Sequence, residues 1–163
     1  MNLNKYLTLI IQKKMIEQPL SDEYYMRKAL NEAETAFSKN EVPVGAIIVC
    51  KNKIIARSHN LTEKLTDFTA HAEMQVFTAA SEFLQNKYLN ECTIYVTLEP
   101  CLMCAGASFW TRIGRIVYGA SDHRRGFKSI SENVLHPSTV INGGVLEAEC
   151  SSLLTSFFSA KRK

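Results

Sequence analysis

A chain of 163 residues, 46% hydrophobic and 21% charged, is long enough to bury a core and too apolar to be disordered. Its net charge of +3, from 19 basic against 16 acidic residues, says nothing by itself about nucleic acid and leaves room only for local basic patches, "DHRRGFK" at 122–128 and "AKRK" at the C-terminus. Its five cysteines are odd in number, and Cys50, Cys92 and Cys150 lie in apolar patterns, which argues against a disulfide framework and for a reducing, cytoplasmic setting.

The opening "MNLNKYLTLIIQKKM" has a short apolar run and no small-residue cleavage site, so it reads as an N-terminal extension, 1–20, ahead of a single domain, 21–163. No apolar stretch approaches the roughly 20 residues of a membrane span. Ser21 is a candidate N-cap, followed by Asp22 and Glu23 and by apolar residues at Met26, Ala29, Leu30, Ala33, Ala36 and Phe37, the spacing of a helix. Pro43 opens "VGAIIVC", and "KNK" turns the chain into "IIARS", a hairpin pattern. A polar loop, 58–69, leads to "AHAEMQVFTAASEFLQ", whose Val76, Phe77, Ala80, Phe83 and Leu84 form one helical face. Strand "CTIYVTL" (92–98), a helix from Pro100 to Thr111 and strand "RIVYGA" (115–120) follow, and this order implies a crossover between parallel strands. After the basic loop 121–133, "STVINGGVL" suggests a further strand, and "EAECSSLLTSFFSAKR" closes the chain as a helix with Cys150, Leu153, Leu154, Phe157 and Phe158 inward. The expected fold class is α/β, a three-layer α/β/α sandwich around a central mixed β-sheet.

Cys101 and Cys104 stand one turn apart where a strand gives way to a helix. Core thiols, a redox pair and metal ligands all fit that placement, because a helix N-terminus favours thiolates whatever they serve. His71, in "TAHAEM", tips the balance. Two thiolates and one imidazole leave zinc's fourth tetrahedral position open, the arrangement of a catalytic site. Glu73 is two residues further on. Mid-helix residues two apart point about 200° from each other, so His71 and Glu73 converge only if the helix starts here, with His71 in its first turn and Thr69 as its cap.

His-Ala-Glu followed by Pro-Cys-x-x-Cys resembles the signature of the zinc-dependent deaminases. Within them the chain is most similar to the bacterial tRNA adenosine deaminases, through "EVPVGAIIV", "HN" at 59–60, "TAHAEM", "VTLEPCLMCAGA", "RIGRIVYGASD" and the terminal "EC-x-x-LL-x-x-FF". The resemblance implies a cytidine-deaminase-like fold, one Zn2+ held by His71, Cys101 and Cys104, and Glu73 as the group that moves protons while adenine loses its amine. It further implies that the substrate is the wobble adenosine of a tRNA anticodon stem-loop and that the chain forms a homodimer. Asn60 matches the family's base-binding asparagine, while Val44, Ala72 and Leu98 match pocket positions. Asp122 falls near the sugar–phosphate, and Phe157 and Phe158 match an aromatic pair beside the anticodon loop, of which Phe158 is the candidate contact. Without the resemblance Asn60 reads as a turn former, Val44 and Leu98 as core, and Asp122 as a loop acid paired with Arg124 or Arg125. Arg124, Arg125, Lys128, Lys161 and Arg162 are candidate phosphate contacts, or solvated and helix-end charges. "VLHPSTVINGG" is shorter than its family counterpart, and "SFWTRIG" replaces a histidine-containing stretch. These departures keep a free-base or nucleoside deaminase acting on guanine or cytosine as the alternative. A structural zinc module is disfavoured by Glu73, which a closed metal site does not need.

Overall fold

Ser21 caps the first helix, its side chain accepting the N–H of Tyr24 at 3.2 Å, and helix α1 runs Asp22–Ser38 with Asp22 and Glu23 in its first turn. The computed structural model describes Lys5 and residues 20–162, so nearly all of the expected N-terminal extension lies outside the described residues. Strands β1 (Gly45–Cys50) and β2 (Lys53–His59) form the expected hairpin. Its two connecting residues, Lys51 and Asn52, both have positive φ (49° and 62°), the turn whose twist matches the flanking strands. Within the stretch expected to be loop, Thr62–Leu65 form a single helical turn, α2. Helix α3 (Ala72–Leu84), strand β3 (Cys92–Leu98), helix α4 (Leu102–Thr111) and strand β4 (Arg115–Ala120) follow in the anticipated order. Two 3-10 turns, Phe127–Ser129 and Glu132–Val134, break up the basic loop before the short strand β5 (Val140–Asn142) and helix α5 (Glu147–Lys161).

The sheet order is β2-β1-β3-β4-β5. β1 is antiparallel to β2 and β3, whereas β3, β4 and β5 are parallel, so the sheet is mixed. Its central strands are buried on both faces, which is why β1, β3 and β4 read as nearly unbroken apolar runs. Ala46, Ile48 and Cys50 face α3, while the alternating Ile47 and Val49 face α1 and α5. Helices therefore cover both faces and the three-layer expectation holds. Gly45 sits where α1 crosses β1, and a Cβ there would collide with Ala29 O and Ala33 N. Two expected core residues face outward: Phe83 is 66% and Phe158 46% exposed, while Phe157 is buried against Phe37. Spacing sets the side from which a residue projects, but a face is buried only as far as something lies beneath it.

Because β1 and β3 are antiparallel, the start of β1 lies beside the end of β3, where the thiols are; Gly45 N–H donates to Thr97 Oγ1 at 3.1 Å across this junction. The opposite end of the sheet is tied by Asp22. Its carboxylate accepts two hydrogen bonds from the Arg115 guanidinium (2.8 and 2.7 Å) and one from Tyr95 O–H (2.8 Å), while Arg115 also donates to Asn142 Oδ1. The bonds from Arg115 hold the Asp22 carboxyl below its ordinary value, although burial opposes them. A depressed folded-state value means that this stabilisation is present above the unfolded carboxylate pKa of about 4 and is lost as pH falls through the folded one. Allowing for solvent screening of a part-exposed pair, Asp22→Asn is expected to cost on the order of 1 kcal/mol at pH 7. Denaturant titrations of variant and wild type should differ at pH 7 and converge in acid.

Candidate active site

Beyond the end of β3, Glu99 and Pro100 carry the chain to Cys101, which occupies the N-cap of α4 in an extended conformation (φ −72°, ψ 171°). His71 occupies the same position on α3 (φ −68°, ψ 152°). The helices begin at Ala72 and Leu102, so neither residue is in a helical turn as the spacing suggested, and Thr69 is not the cap. Thr69 instead donates its N–H and its hydroxyl to Asp67 Oδ1, both at 2.8 Å. An N-cap residue lies outside helical φ/ψ and escapes the rotation of about 100° per residue that separates side chains within the helix. This is how His71 and Glu73, two apart in sequence, reach the same site.

His71 Nδ1 lies 3.7 Å from Cys101 Sγ and 3.5 Å from Cys104 Sγ, and the three ligand atoms all fall within 4.8 Å of one another. Tetrahedral zinc with Zn–S of about 2.3 Å and Zn–N of about 2.0 Å sets its sulfur and nitrogen ligands roughly 3.5 Å apart. The donor types and both nitrogen–sulfur distances therefore fit such an ion. Glu73 stands outside this triangle and is only 4% exposed.

The hydrogen bond from Cys104, seconded by His71, draws the Cys101 thiol down to about 4, so it is a ready thiolate. The same bond, together with burial, pushes the Cys104 thiol up. His71 is raised, first by its bond to Cys101, with burial opposing. Burial raises the Glu73 carboxyl to about 7, against the smaller lowering effects of its own backbone and of His71.

Two loops close on this triangle. Asn60 is buried, with its N–H on Val44 O at 3.0 Å. Gln75 binds the neighbouring carbonyls of His59, Ala70 and His71 through its amide nitrogen, so the segment carrying Asn60 is stitched to the start of α3. Val44 is half-buried against the α3-side core, and Leu98 against the α1-side core. Ala72 is fully buried, which leaves its backbone N–H, at the open start of α3, as the group it can offer. On the other side, Gly126 bridges to Cys101 and Phe127 N–H donates to Pro100 O at 3.0 Å, bringing the basic loop to the thiols. Asp122 Oδ1 accepts the backbone N–H groups of Arg124 and Arg125, both at 3.0 Å, and so shapes this loop through main-chain bonds; both arginines are exposed. Lys128 lays its ammonium over the Tyr118 ring, 5.2 Å from the centroid. Phe158, Lys161 and Arg162 belong to the end of α5, which packs on the α1 side of the sheet. Among the described residues no hydrogen bond, ion pair or ring contact joins them to the triangle.

The sandwich and the histidine–cysteine–cysteine triangle at two helix starts are those of the cytidine-deaminase-like enzymes. The MafB19-like deaminase family matches residues 20–161. The tRNA-specific adenosine deaminase of Bacillus subtilis (strain 168) is 45% identical over 148 residues, covering 87% of this chain and 91% of its own. A solved structure from a study of A-to-I editing by tRNA:A34 deaminases at the wobble position of transfer RNA superposes with a TM-score of 0.75 at 40% identity, covering 80% of this chain and 99% of that one. A guanine deaminase from Nitrosomonas europaea also superposes, with a TM-score of 0.74 over 87% of both chains, but at 20% identity the likeness concerns the fold alone. The chain belongs to the MafB19-like deaminases and, by its identity to these relatives, to the family of the tRNA-specific adenosine deaminases. It is a deaminase enzyme.

Three polar residues that organise the site have no role assigned from sequence: Glu41, Gln75 and Glu99. The signal available for Glu41 and Glu99 is an acid embedded in an apolar run, "EVPVG" and "TLEPC". Glu99 is 5% exposed and accepts the backbone N–H groups of Asp122 and Lys128, each at 3.1 Å, closing both ends of the basic loop on one carboxylate. Gly126 lies against that carboxylate with no room for a Cβ. Glu99→Gln exchanges one acceptor oxygen for a donor and is expected to release one end of the loop. Hydrogen exchange at 122–128 should speed up at least about tenfold while β4 stays protected. Unchanged loop protection would show that Glu99 is not what holds it.

Proposed function

We propose that this chain is a zinc-dependent hydrolytic deaminase that converts the wobble adenosine of a tRNA anticodon stem-loop to inosine and releases ammonia. The observation that carries the reading is a three-ligand triangle with a buried carboxylate standing outside it. A closed structural site would spend a fourth side chain on the metal and would not keep a proton carrier beside it. Identity of 40–45% over most of the chain to proteins named as tRNA adenosine deaminases supports the substrate.

In this reading His71, Cys101 and Cys104 hold the zinc. When bound, zinc acts as a Lewis acid that makes water a hydroxide-strength nucleophile near neutral pH, for attack at C6 of the purine. Glu73 does the proton work. With its carboxyl raised to about 7 it can both take and return a proton at neutral pH, moving one from the attacking water to the ring nitrogen, where inosine keeps it, and then a second from the new C6 hydroxyl to the departing amine. Asn60, Val44, Ala72 and Leu98 hold the base, and Asp122 lies by the sugar–phosphate. Arg124, Arg125 and Lys128 face the phosphates near the site, while Phe158, Lys161 and Arg162 meet the stem-loop at a distance from the chemistry. Residues 21–163 work as one domain in the cytoplasm; among the described residues no helix is long and apolar enough to cross a membrane. The exposed apolar groove along α3 and α4, which includes Phe77, Phe109 and Trp110, suits the face of a homodimer.

Metal analysis and turnover should separate the roles. Alanine at His71, Cys101 or Cys104 is expected to remove both zinc and activity. Glu73→Ala should keep one zinc per chain and lose at least about 10²–10⁴-fold in kcat. Glu73→Ala losing zinc as readily as Cys104→Ala would make Glu73 a ligand and sink the mechanism. Arg124→Ala/Arg125→Ala should weaken stem-loop binding and flatten its log–log salt dependence by roughly 0.7–0.9 for each phosphate no longer neutralised, with zinc unchanged. Efficient deamination of free guanine or cytosine with the stem-loop untouched would overturn the substrate.

A further inference from the structure

The mechanism leaves two buried carboxylates unused, Glu99, which closes the basic loop, and Glu41. Glu41, 1% exposed in the connection between α1 and β1, accepts the Asn60 side-chain amide at 3.1 Å through Oε2. The same carboxylate accepts the backbone N–H groups of Glu63 (3.2 Å) and Lys64 (2.7 Å) in the turn α2. The second hydrogen of the Asn60 amide goes to Thr62 Oγ1 at 3.0 Å. A carboxylate only accepts, so the amide nitrogen of Asn60 must face it. With both N–H groups spent on Glu41 and Thr62, the oxygen is the only group the Asn60 side chain can offer to anything else. A buried polar cluster satisfied in this way permits one side-chain orientation and penalises the flipped one. The placement of this cluster against the metal triangle is also set, because Gln75 ties His59 O, beside Asn60, to Ala70 O and His71 O.

We propose that Glu41 is a positioning residue for deamination: it locks the Asn60 amide so that its oxygen alone faces the target nucleoside and accepts from a hydrogen-bond donor there. The inference rests on the reading above that Asn60 touches the nucleoside.

The test is a double-mutant cycle on a wobble-adenosine stem-loop, with kcat/KM and zinc content measured for wild type, Glu41→Gln, Asn60→Ala and the double variant. Glutamine at 41 keeps the size of the side chain and one acceptor but adds a donor, which invites the Asn60 amide to flip. Each single variant is expected to lose roughly 10- to 100-fold in kcat/KM with zinc retained, and the double variant should be no worse than Asn60→Ala. Thr62→Val removes only one acceptor and leaves the buried carboxylate in place. It should give a smaller loss that also vanishes in the Asn60→Ala background, and it keeps the question answerable if Glu41→Gln folds poorly. Losses that multiply in the double variants overturn the proposal alone. Asn60→Ala without effect overturns both the proposal and the assignment of Asn60. Zinc lost together with activity in Glu41→Gln, alongside an uncoupled Thr62→Val, would reduce Glu41 to a structural part. A wild type inert toward the stem-loop fails the substrate reading before any variant is compared, and this inference with it.

Discussion

The site depends on two helices starting one residue after a metal-type ligand. Cys101 precedes α4 and His71 precedes α3, each in extended backbone, and Cys104 enters from the first turn of α4. Open N–H groups and the positive ends of two helix dipoles therefore converge on the place where the two cysteines and His71 meet. If either helix began a turn earlier, its ligand would be bound to helical rotation and the 3.5 and 3.7 Å approaches to His71 would disappear. The sheet supplies the convergence. β3 ends at Leu98, three residues before Cys101, and its antiparallel neighbour β1 begins at Gly45, so Val44 and Asn60 arrive at the same edge without a long loop.

Around that centre, buried carboxylates do the work of fastening loops. Glu99 closes the basic loop by both ends, and Glu41 closes α2 and Asn60 together. In each case a carboxylate buried away from water stays satisfied because backbone N–H groups donate to it. Such anchors are costly to disturb, and they hold both loops in fixed positions beside the triangle. Glu73 is the contrasting case. It is equally buried, but burial raises its carboxyl toward neutrality, and no loop backbone is fastened to it as to Glu41 and Glu99.

The sequence alone was sufficient for the order of the main helices and strands and for the class of enzyme. Strands 92–98 and 115–120 were legible to the residue, because central strands buried on both faces need continuous apolar runs. Ser21, the "KNK" turn and the histidine–glutamate and cysteine pairs were legible because each is a local pattern with a local cause. Tertiary structure decided what depends on neighbours distant in sequence. Phe83 and Phe158 share the spacing of core residues yet project outward, and the cap position falls to His71 because α3 starts only at Ala72, while Thr69 turns its N–H and hydroxyl back to Asp67. The partners of Glu41 lie 19 to 23 residues away and those of Glu99 lie 23 to 29 away, so no window of periodicity contains them. A lone acid in an apolar run announces that it must be satisfied. Which loop satisfies it is settled only when the sheet has brought the strand ends together.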